Sequence, residues 1–172
     1  MDAIENLITR RCIRTYKDET PPQKIIDKVI EAGTYAPTGM GRQSPKIIAV
    51  TNKIVRDKLS KLNADIMGTN TDPFYGAPVV LIVLADKDIP TYLYDGSLVM
   101  GNLMNAAHAL GLGSCWIHRA KEVFNTDEGK ILLKDWNIQG NYEGIGHCIL
   151  GYSLDKIPLA KPRKKDYIYY VK

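Results

Sequence analysis

Apolar residues spaced three and four positions apart predict several helices along the chain. Asp2 can cap a short first helix, and Thr20-Pro21-Pro22-Gln23 is typical of a helix start, with Thr20 as N-cap and Gln23 completing a capping box. This second helix is predicted to end near Ala36-Pro37. A long helix from about Tyr94 to Leu110, with Gly111 as its C-cap, is predicted to be the central core helix.

Between these helices the pattern changes to short apolar runs that are typical of strands. Pro78 to Ala85 is continuously apolar, which predicts a strand buried on both faces in the middle of a sheet. The other predicted elements are short strands over 47–50, 114–117 and 147–152, a polar helix over 53–62, a loop over 63–76, and one or two small helices over 121–135. The tail 167–171 also has strong strand propensity. Interleaved helices and strands indicate an α/β or α+β protein in which helices cover a sheet.

The composition is that of an ordinary globular protein. At 172 residues, with 45% hydrophobic and 24% charged residues, we expect one domain over residues 1–172. The longest apolar run, 77–85, is too short to cross a membrane, and Asp2 and Glu5 stand where a signal peptide would be basic or apolar. We therefore expect a cytoplasmic protein without a membrane partner.

The formal net charge of +4 is concentrated at the end of the chain. Residues 161–172 contain five basic residues against Asp166 alone, which leaves equal numbers of basic and acidic residues elsewhere. A nucleic-acid-binding face would spread its excess charge over a groove-sized surface, so we do not expect a nucleic-acid partner. The local patch suits a single phosphate group.

Few residues are candidates for acid, base or nucleophile. The sequence lacks the motifs of serine hydrolases, P-loop proteins and zinc proteases, and Gly111-Leu112-Gly113 follows a helix instead of opening one. Cys12, Cys115 and Cys148 lack metal-ligand or C-x-x-C spacing, so we expect buried, reduced thiols and no metal site. A chain with anion-binding residues and few catalytic ones is typical of a cofactor enzyme.

Three segments together resemble the nitroreductase family of FMN-dependent oxidoreductases. They are the cluster Arg10, Arg11 and Arg14 followed by Tyr16, the loop 36–43, and the terminal Pro162-Arg163-Lys164-Lys165. The resemblance runs from about Ile4 to Val171 in the family's order. It implies an α+β nitroreductase-like fold, with a mostly antiparallel sheet flanked by helices, in a homodimer that exchanges its tails and holds two FMN sites at the interface.

The resemblance also implies FMN contacts in the first segment. In the family's R-x-S-x-R/K motif, the first basic residue meets the phosphate and the last approaches N1 and O2 of the ring; these positions are Arg10 and Arg14 here, with Arg11 in the same cluster. Cationic charge beside N1 and O2 stabilises the reduced flavin. Cys12 occupies the position of the usual Ser and is a weaker hydrogen-bond partner.

The remaining implied contacts come from distant parts of the chain. The loop matches the family segment that covers the flavin from the partner subunit, through Pro37, Thr38, Gly39 and Gln43. The segment 111–119 matches the one along the reactive face, where Trp116 and Ile117 would pack on the ring and the amides of His118 and Arg119 would face N5 and O4. The other implied contacts are Asn70, Gly146, Arg163 and Lys165, and the side chain of His118 stands where other members have an acidic residue.

As a function, the resemblance implies NAD(P)H oxidation followed by reduction of an electron-poor acceptor such as a nitroaromatic or a quinone. The transfer would be ping-pong through flavin N5, with NADH or NADPH as co-substrate and no dedicated catalytic side chain. Two alternatives stay open: a flavin-binding or sensing module without turnover, and a small basic adaptor. Flavin content separates the adaptor from the other two, and reduction assays separate the enzyme from the module.

Overall fold

In a computed structural model that describes residues 2–172, four strands form one fully antiparallel sheet. The strands are β1 (Lys46–Val50), β2 (Val79–Asp86), β3 (Gly113–Ile117) and β4 (Tyr142–Gly151), in the spatial order β1-β2-β4-β3. β2 lies inside the sheet with all but its last residue buried, which confirms the prediction of a central apolar strand. β3 forms one edge of the sheet, and this edge carries the candidate site.

Helices cover both faces of the sheet. They are α1 (Ala3–Thr9), α2 (Gln23–Thr34), α3 (Lys53–Met67), α4 (Tyr92–Ala109), α5 (Ala120–Asn125) and α6 (Asp127–Asp135). α2 and α4 pack on one face and α3, α5 and α6 on the other. α4 buries Met100, Leu103 and Ala107 completely, as predicted for the core helix. No helix within residues 2–172 is long and apolar enough to cross a membrane.

The predicted helix starts differ in their outcome. Asp2 caps α1, since its side chain accepts the backbone N–H of Glu5 at 2.9 Å. The predicted capping box at Thr20 is wrong, because α2 begins at Gln23 with Pro22 at the N-cap position and no side-chain cap. The cause is the Pro-Pro sequence, because a proline holds the residue before it in extended backbone. Gln23 instead donates to Asp27 at 2.8 Å.

Two further boundaries differ from the sequence prediction. The stretch from Asn63 to Gly76 was predicted to be a loop, but α3 continues through Met67 and ends at the left-handed Gly68. The tail 167–171 was predicted to have strand propensity, yet it makes no strand pairing within the described part of its own chain. Its large side chains are exposed, between 64% for Ile168 and 100% for Val171.

Candidate functional site

The open edge of β3 brings together two segments that lie a hundred residues apart in sequence. β3 pairs with β4 on one side only. Along the other side runs the segment that follows α1, where Cys12 is bridged to Ser114 and the N–H of Ile13 donates to the Ser114 carbonyl at 3.0 Å. This pairing places the predicted arginine cluster beside the predicted ring-binding strand.

The arginines lie just beyond α1 and not in its last turn, since the helix ends at Thr9 with Arg10 as C-cap. Arg10 Nη1 lies 4.0 Å from the Cys12 sulfur. Arg11 donates to the carbonyls of Ile8 and Arg10, while its buried Nε has no hydrogen-bond partner among residues 2–172. Arg14 is exposed and lies 6.0 Å from the centre of the Tyr75 ring. The cluster therefore offers cationic donors to an anion.

Cys12 has an unusual electrostatic environment. A hydrogen bond from the Cys115 side chain, followed by the hydrogen bond and charge of Arg10 and the charge of Arg14, lowers the pKa of Cys12 to about 5 against an opposing desolvation effect. The pKa of Cys115 is raised, because its thiol proton is held by Cys12 and the group is buried. These effects favour the thiolate form of Cys12 at neutral pH, whereas Cys115 keeps its proton.

A cavity of about 190 Å³ opens where β3 ends. Arg14 and Tyr75 line one side, Cys115 and Trp116 form the wall along the strand, and His118 and Arg119 lie beyond the strand's end. The cavity combines aromatic side chains with cationic ones. Such a lining suits a planar ligand with an anionic end.

A second cavity of about 310 Å³ lies beyond Trp116. It shares Trp116, His118 and Arg119 with the first cavity, and it adds the start of α4 and part of β4. Glu143, which lines this cavity, forms an ion pair with Lys121 at 3.0 Å. The two cavities therefore flank the segment Trp116–Arg119.

The turn after β3 is held in an uncommon conformation. Arg119 has φ of 73°, in the left-handed region that a non-glycine residue rarely adopts. The buried Asn63 of α3 fixes the preceding residue, because its Nδ2 donates to the His118 carbonyl at 2.8 Å. Strained backbone persists where surrounding contacts determine it, and such positions cluster at binding sites.

Gly146 supports this wall from beneath. A Cβ at this position would lie 2.4 Å from Trp116 Nε1 and 3.0 Å from Met100 Cε. The glycine therefore leaves the space in which the indole packs. The resemblance implies a flavin contact for Gly146, and the structure gives its missing side chain a packing reason.

The loop before β2 is positioned by residues that sequence reasoning missed. Arg56 of α3 donates its Nε to the Ala77 carbonyl at 3.0 Å and pairs with Asp72. Asp72 also accepts the backbone N–H groups of Phe74 and Gly76. Burial opposes ionisation of Asp72, but these donors hold its pKa below the usual value. No sequence motif marks this network.

Asn70 lies in the same loop but on another surface. It is exposed and lines a separate cavity of about 340 Å³, together with α3 residues such as Lys61 and Asp65. Its neighbours Thr71 and Asp72 line both that cavity and the one beside β3. The structure thus brings the loop to the site, with Asn70 on its outer side.

The predicted loop 36–43 lies on the start of α4. The buried Asp95 accepts the N–H of Gly39 at 2.9 Å, and the Thr38 hydroxyl accepts the N–H of Gln43 at 3.0 Å. Pro37 and Gln43 are exposed, and Gln43 has a positive φ of 51°. None of these residues lines the two cavities beside β3, so within one chain the loop is not part of the site.

The basic tail also stays apart from the arginine cluster. Arg163 donates to the carbonyl of its near neighbour Lys161 at 2.7 Å, and both Arg163 and Lys165 are exposed. Within residues 2–172, no hydrogen bond or ion pair joins the tail to Arg10 or Arg14. A contact between these two basic segments requires another chain or another tail position.

The family profile described as "Nitroreductase family" matches residues 7–73 and 66–152, which together span most of the chain. The chain belongs to the nitroreductase family. A relative from Methanothermobacter thermautotrophicus, named "Putative NADH dehydrogenase/NAD(P)H nitroreductase", is 31% identical over 67% of this chain and 60% of its own length. The chain thus matches less than two thirds of that curated relative.

Solved structures of family members have the same fold. A nitroreductase with bound FMN from Bacteroides fragilis superposes with a TM-score of 0.90 over 100% of both chains, at 24% identity. An FMN-dependent nitroreductase from Clostridium difficile reaches a TM-score of 0.78 at 26% identity, covering 97% of this chain and 98% of its own. The nitroreductase-like α+β fold expected from the sequence is therefore confirmed.

Proposed function

We propose that this chain is an FMN-dependent NAD(P)H oxidoreductase whose flavin lies along the open edge of β3. The observation that carries the proposal is the meeting of the arginine segment with Trp116–Arg119 at this edge, in a chain of this family. The relatives named NAD(P)H nitroreductase and FMN reductase support the same activity. We also propose that residues 1–172 act as one FMN-binding domain.

The residues at the edge fit the chemistry of FMN. Its phosphate requires cationic donors, which Arg10 and the unpartnered Nε of Arg11 provide. Its ring requires a flat, partly apolar wall, which Trp116 and Ile117 provide. Arg14, beside the same cavity, places positive charge at the edge of the ring. The backbone amides of His118 and Arg119 are the proposed partners of N5 and O4.

When bound, FMN would accept hydride from NADH or NADPH and pass two electrons to an electron-poor acceptor such as a nitroaromatic or a quinone. The protein's part is to bind and orient the flavin and to tune the charge around its ring. The positive charge of Arg14 stabilises negative charge that develops on the ring, without proton transfer by a side chain. The exposed His118 side chain lines the cavity, where it can orient an acceptor.

The same proposal includes a homodimer with two flavin sites. Several apolar residues are exposed in the single chain, including Ile4 and Ile8 of α1 at 66% and 65%. The aromatic tail is exposed as well, and apolar surfaces of this kind mark protein interfaces. In a dimer, the loop 37–43 and the basic residues Arg163 and Lys165 would complete the partner's site.

The proposal is tested by identifying the bound cofactor and by measuring its reduction. The purified protein is denatured and the released chromophore is separated by chromatography; FMN is expected, and FAD or no flavin after reconstitution would contradict the proposal. The reconstituted protein is then mixed anaerobically with NADH or NADPH, and bleaching of the flavin absorbance is expected. Bound FMN that neither nucleotide reduces would favour the non-catalytic module.

A further inference from the structure

Two cysteines from different elements face each other at the β3 edge. Cys115 follows Ser114, the bridge partner of Cys12, along β3, and both cysteines pack in the same apolar cluster. Each thiol also has the largest influence on the pKa of the other, as expected for neighbouring sulfurs. Cys12 is partly exposed, and Cys115 lines the cavity beside the strand. The two cysteines are therefore neighbours at the edge of the cavity.

The surroundings make these two sulfurs chemically unequal. Arg10 lies 4.0 Å from the Cys12 sulfur, and Arg14 adds a second positive charge. Thiolate at Cys12 is consequently favoured, while Cys115 keeps its proton. An activated thiolate beside a protonated thiol is the arrangement of an attacking and a resolving cysteine.

The backbone allows these cysteines to be joined. Cys12 is bridged to Ser114, the residue before Cys115. Neighbouring strands lie about 4.8 Å apart and residues advance about 3.3 Å, which puts the two Cα atoms about 6 Å apart. Disulfides span Cα separations of roughly 4.4–6.8 Å, so the bond requires little backbone movement.

We propose that Cys12 and Cys115 form a peroxide-sensitive dithiol that closes to an intramolecular disulfide. The Cys12 thiolate attacks a hydroperoxide oxygen, the O–O bond breaks, and hydroxide or alkoxide leaves with the electron pair. The Cys115 sulfur then attacks the resulting sulfenic acid, and its proton leaves with the hydroxyl group as water. The two sulfurs lose two electrons in total, and the peroxide gains them.

The test treats the reduced full-length protein with hydrogen peroxide and follows its mass. The expected product is a monomeric chain lighter by two hydrogens, with a tryptic cross-link between the Cys12 and Cys115 peptides that dithiothreitol reverses. Cys148→Ser is the matched control, because Cys148 is fully buried and packs in the cluster on the opposite face of the sheet. This variant should form the same cross-link at the same rate.

Variants of the pair separate the two steps. Cys115→Ser should stop at Cys12 sulfenic acid, trapped as a dimedone adduct, and Cys12→Ser should resist peroxide. If Cys115→Ser misfolds, dimedone trapping in the wild-type chain at early times reports the same intermediate. A stable adduct on wild-type Cys12 without a cross-link, oxidation that persists in Cys12→Ser, or disulfides only between chains would each overturn the proposal.

The oxidation test needs neither flavin nor NAD(P)H, so it succeeds or fails independently of the proposed function. One consequence does rest on that function: the disulfide would remove the Cys12 sulfur from the proposed flavin site. Excess FMN should then slow peroxide oxidation of wild-type Cys12. Oxidation that is unchanged by FMN while the cross-link still forms would place the flavin elsewhere and leave the dithiol intact.

Discussion

Single side chains at the β3 edge set the charge that an anion meets there. Arg10 and Arg14 approach from the segment after α1, and Cys12 lies between them with a lowered pKa. A serine at this position would be neutral, so the cysteine reduces the local positive charge at neutral pH. Single substitutions can therefore measure the effect of each charge on the reactivity of Cys12 and on FMN binding.

The reactivity of Cys12 should depend on pH in an unusual range. Its pKa of about 5 means that the thiolate is lost only when the pH falls through about 5, whereas an ordinary thiolate is lost already below about pH 8.5. Alkylation of Cys12 by iodoacetamide, followed by peptide mass spectrometry, should therefore reach its plateau by about pH 6.5.

The groups that face Cys12 are Arg10, Arg14 and Cys115. Arg10→Ala should move the midpoint of alkylation upward, because it removes both a hydrogen bond and a positive charge. Lys24→Ala, a charge change on the exposed side of α2, is the control and should leave the midpoint unchanged. A wild-type midpoint near pH 8.5 would contradict this electrostatic account.

The two basic tail residues should contribute to FMN binding. Each charge-assisted hydrogen bond to phosphate contributes about 1.5–3 kcal/mol, so Arg163→Ala with Lys165→Ala should raise the Kd for FMN at least about tenfold. Flavin fluorescence titration measures the change. The double change Lys156→Ala with Lys172→Ala removes the same charge from the tail and should have little effect; equal losses in both would indicate a non-specific effect.

At the scale of elements, two contacts hold the walls of the cavity. The Arg56–Asp72 network fixes the loop that carries Tyr75, and Gly146 of β4 leaves the space for Trp116 of β3. Both contacts join parts of the chain that lie far apart in sequence. Their loss should alter the site without changing the fold.

Asp72→Asn should destabilise the protein by about 1–3 kcal/mol, because it removes a charged acceptor from one guanidinium and two backbone N–H groups. Denaturant unfolding measures this difference. Asp65→Asn is the matched control: Asp65 pairs with Lys61 on the surface of α3, and such exposed pairs contribute little. Equal stabilities of the two variants would show that the Arg56–Asp72 network does not anchor the loop.

Gly146→Ala should displace Trp116, since the new methyl group overlaps the indole. Overpacking of this kind costs about 1–3 kcal/mol, and tryptophan fluorescence should shift together with the melting temperature. Gly101→Ala is the control in α4, where a Cβ meets nothing within 4 Å and alanine is the better helix former. A stable Gly146→Ala protein with unchanged fluorescence would contradict the packing argument.

At the scale of the whole molecule, the single chain leaves its predicted binding segments apart. The tail 167–171 is exposed, and loop 37–43 lies on α4, away from the cavities beside β3. A homodimer would bring both to a partner's site and cover their apolar surface.

Deletion of residues 167–172 should therefore reduce dimerisation and flavin content together. Analytical ultracentrifugation measures the first and the absorbance of bound flavin measures the second. The sheet and helices end at Gly151, so the far-ultraviolet circular dichroism should be preserved. A truncated protein that stays dimeric and fully loaded with flavin would show that the tail does not form this interface.

Local patterns along the chain determined much of the secondary structure. The apolar run 78–85 specified the central strand, because a strand buried on both faces is apolar at every position. The spacing of apolar residues in α4 specified the core helix, because burial of a helix face repeats every three to four residues. Motif order was sufficient to predict the family and the fold. The start of α2 was misplaced, since two prolines override a capping pattern.

Tertiary structure alone decided which of these residues meet. The pairing of Cys12 with Ser114 places the arginines beside β3, and it makes Cys12 and Cys115 neighbours. Arg56 and Asp72 carry no motif, because an ion pair between distant parts of the chain is recognised only when those parts pack together. Local sequence determines how each segment folds, whereas contacts between segments depend on the packing of the whole sheet.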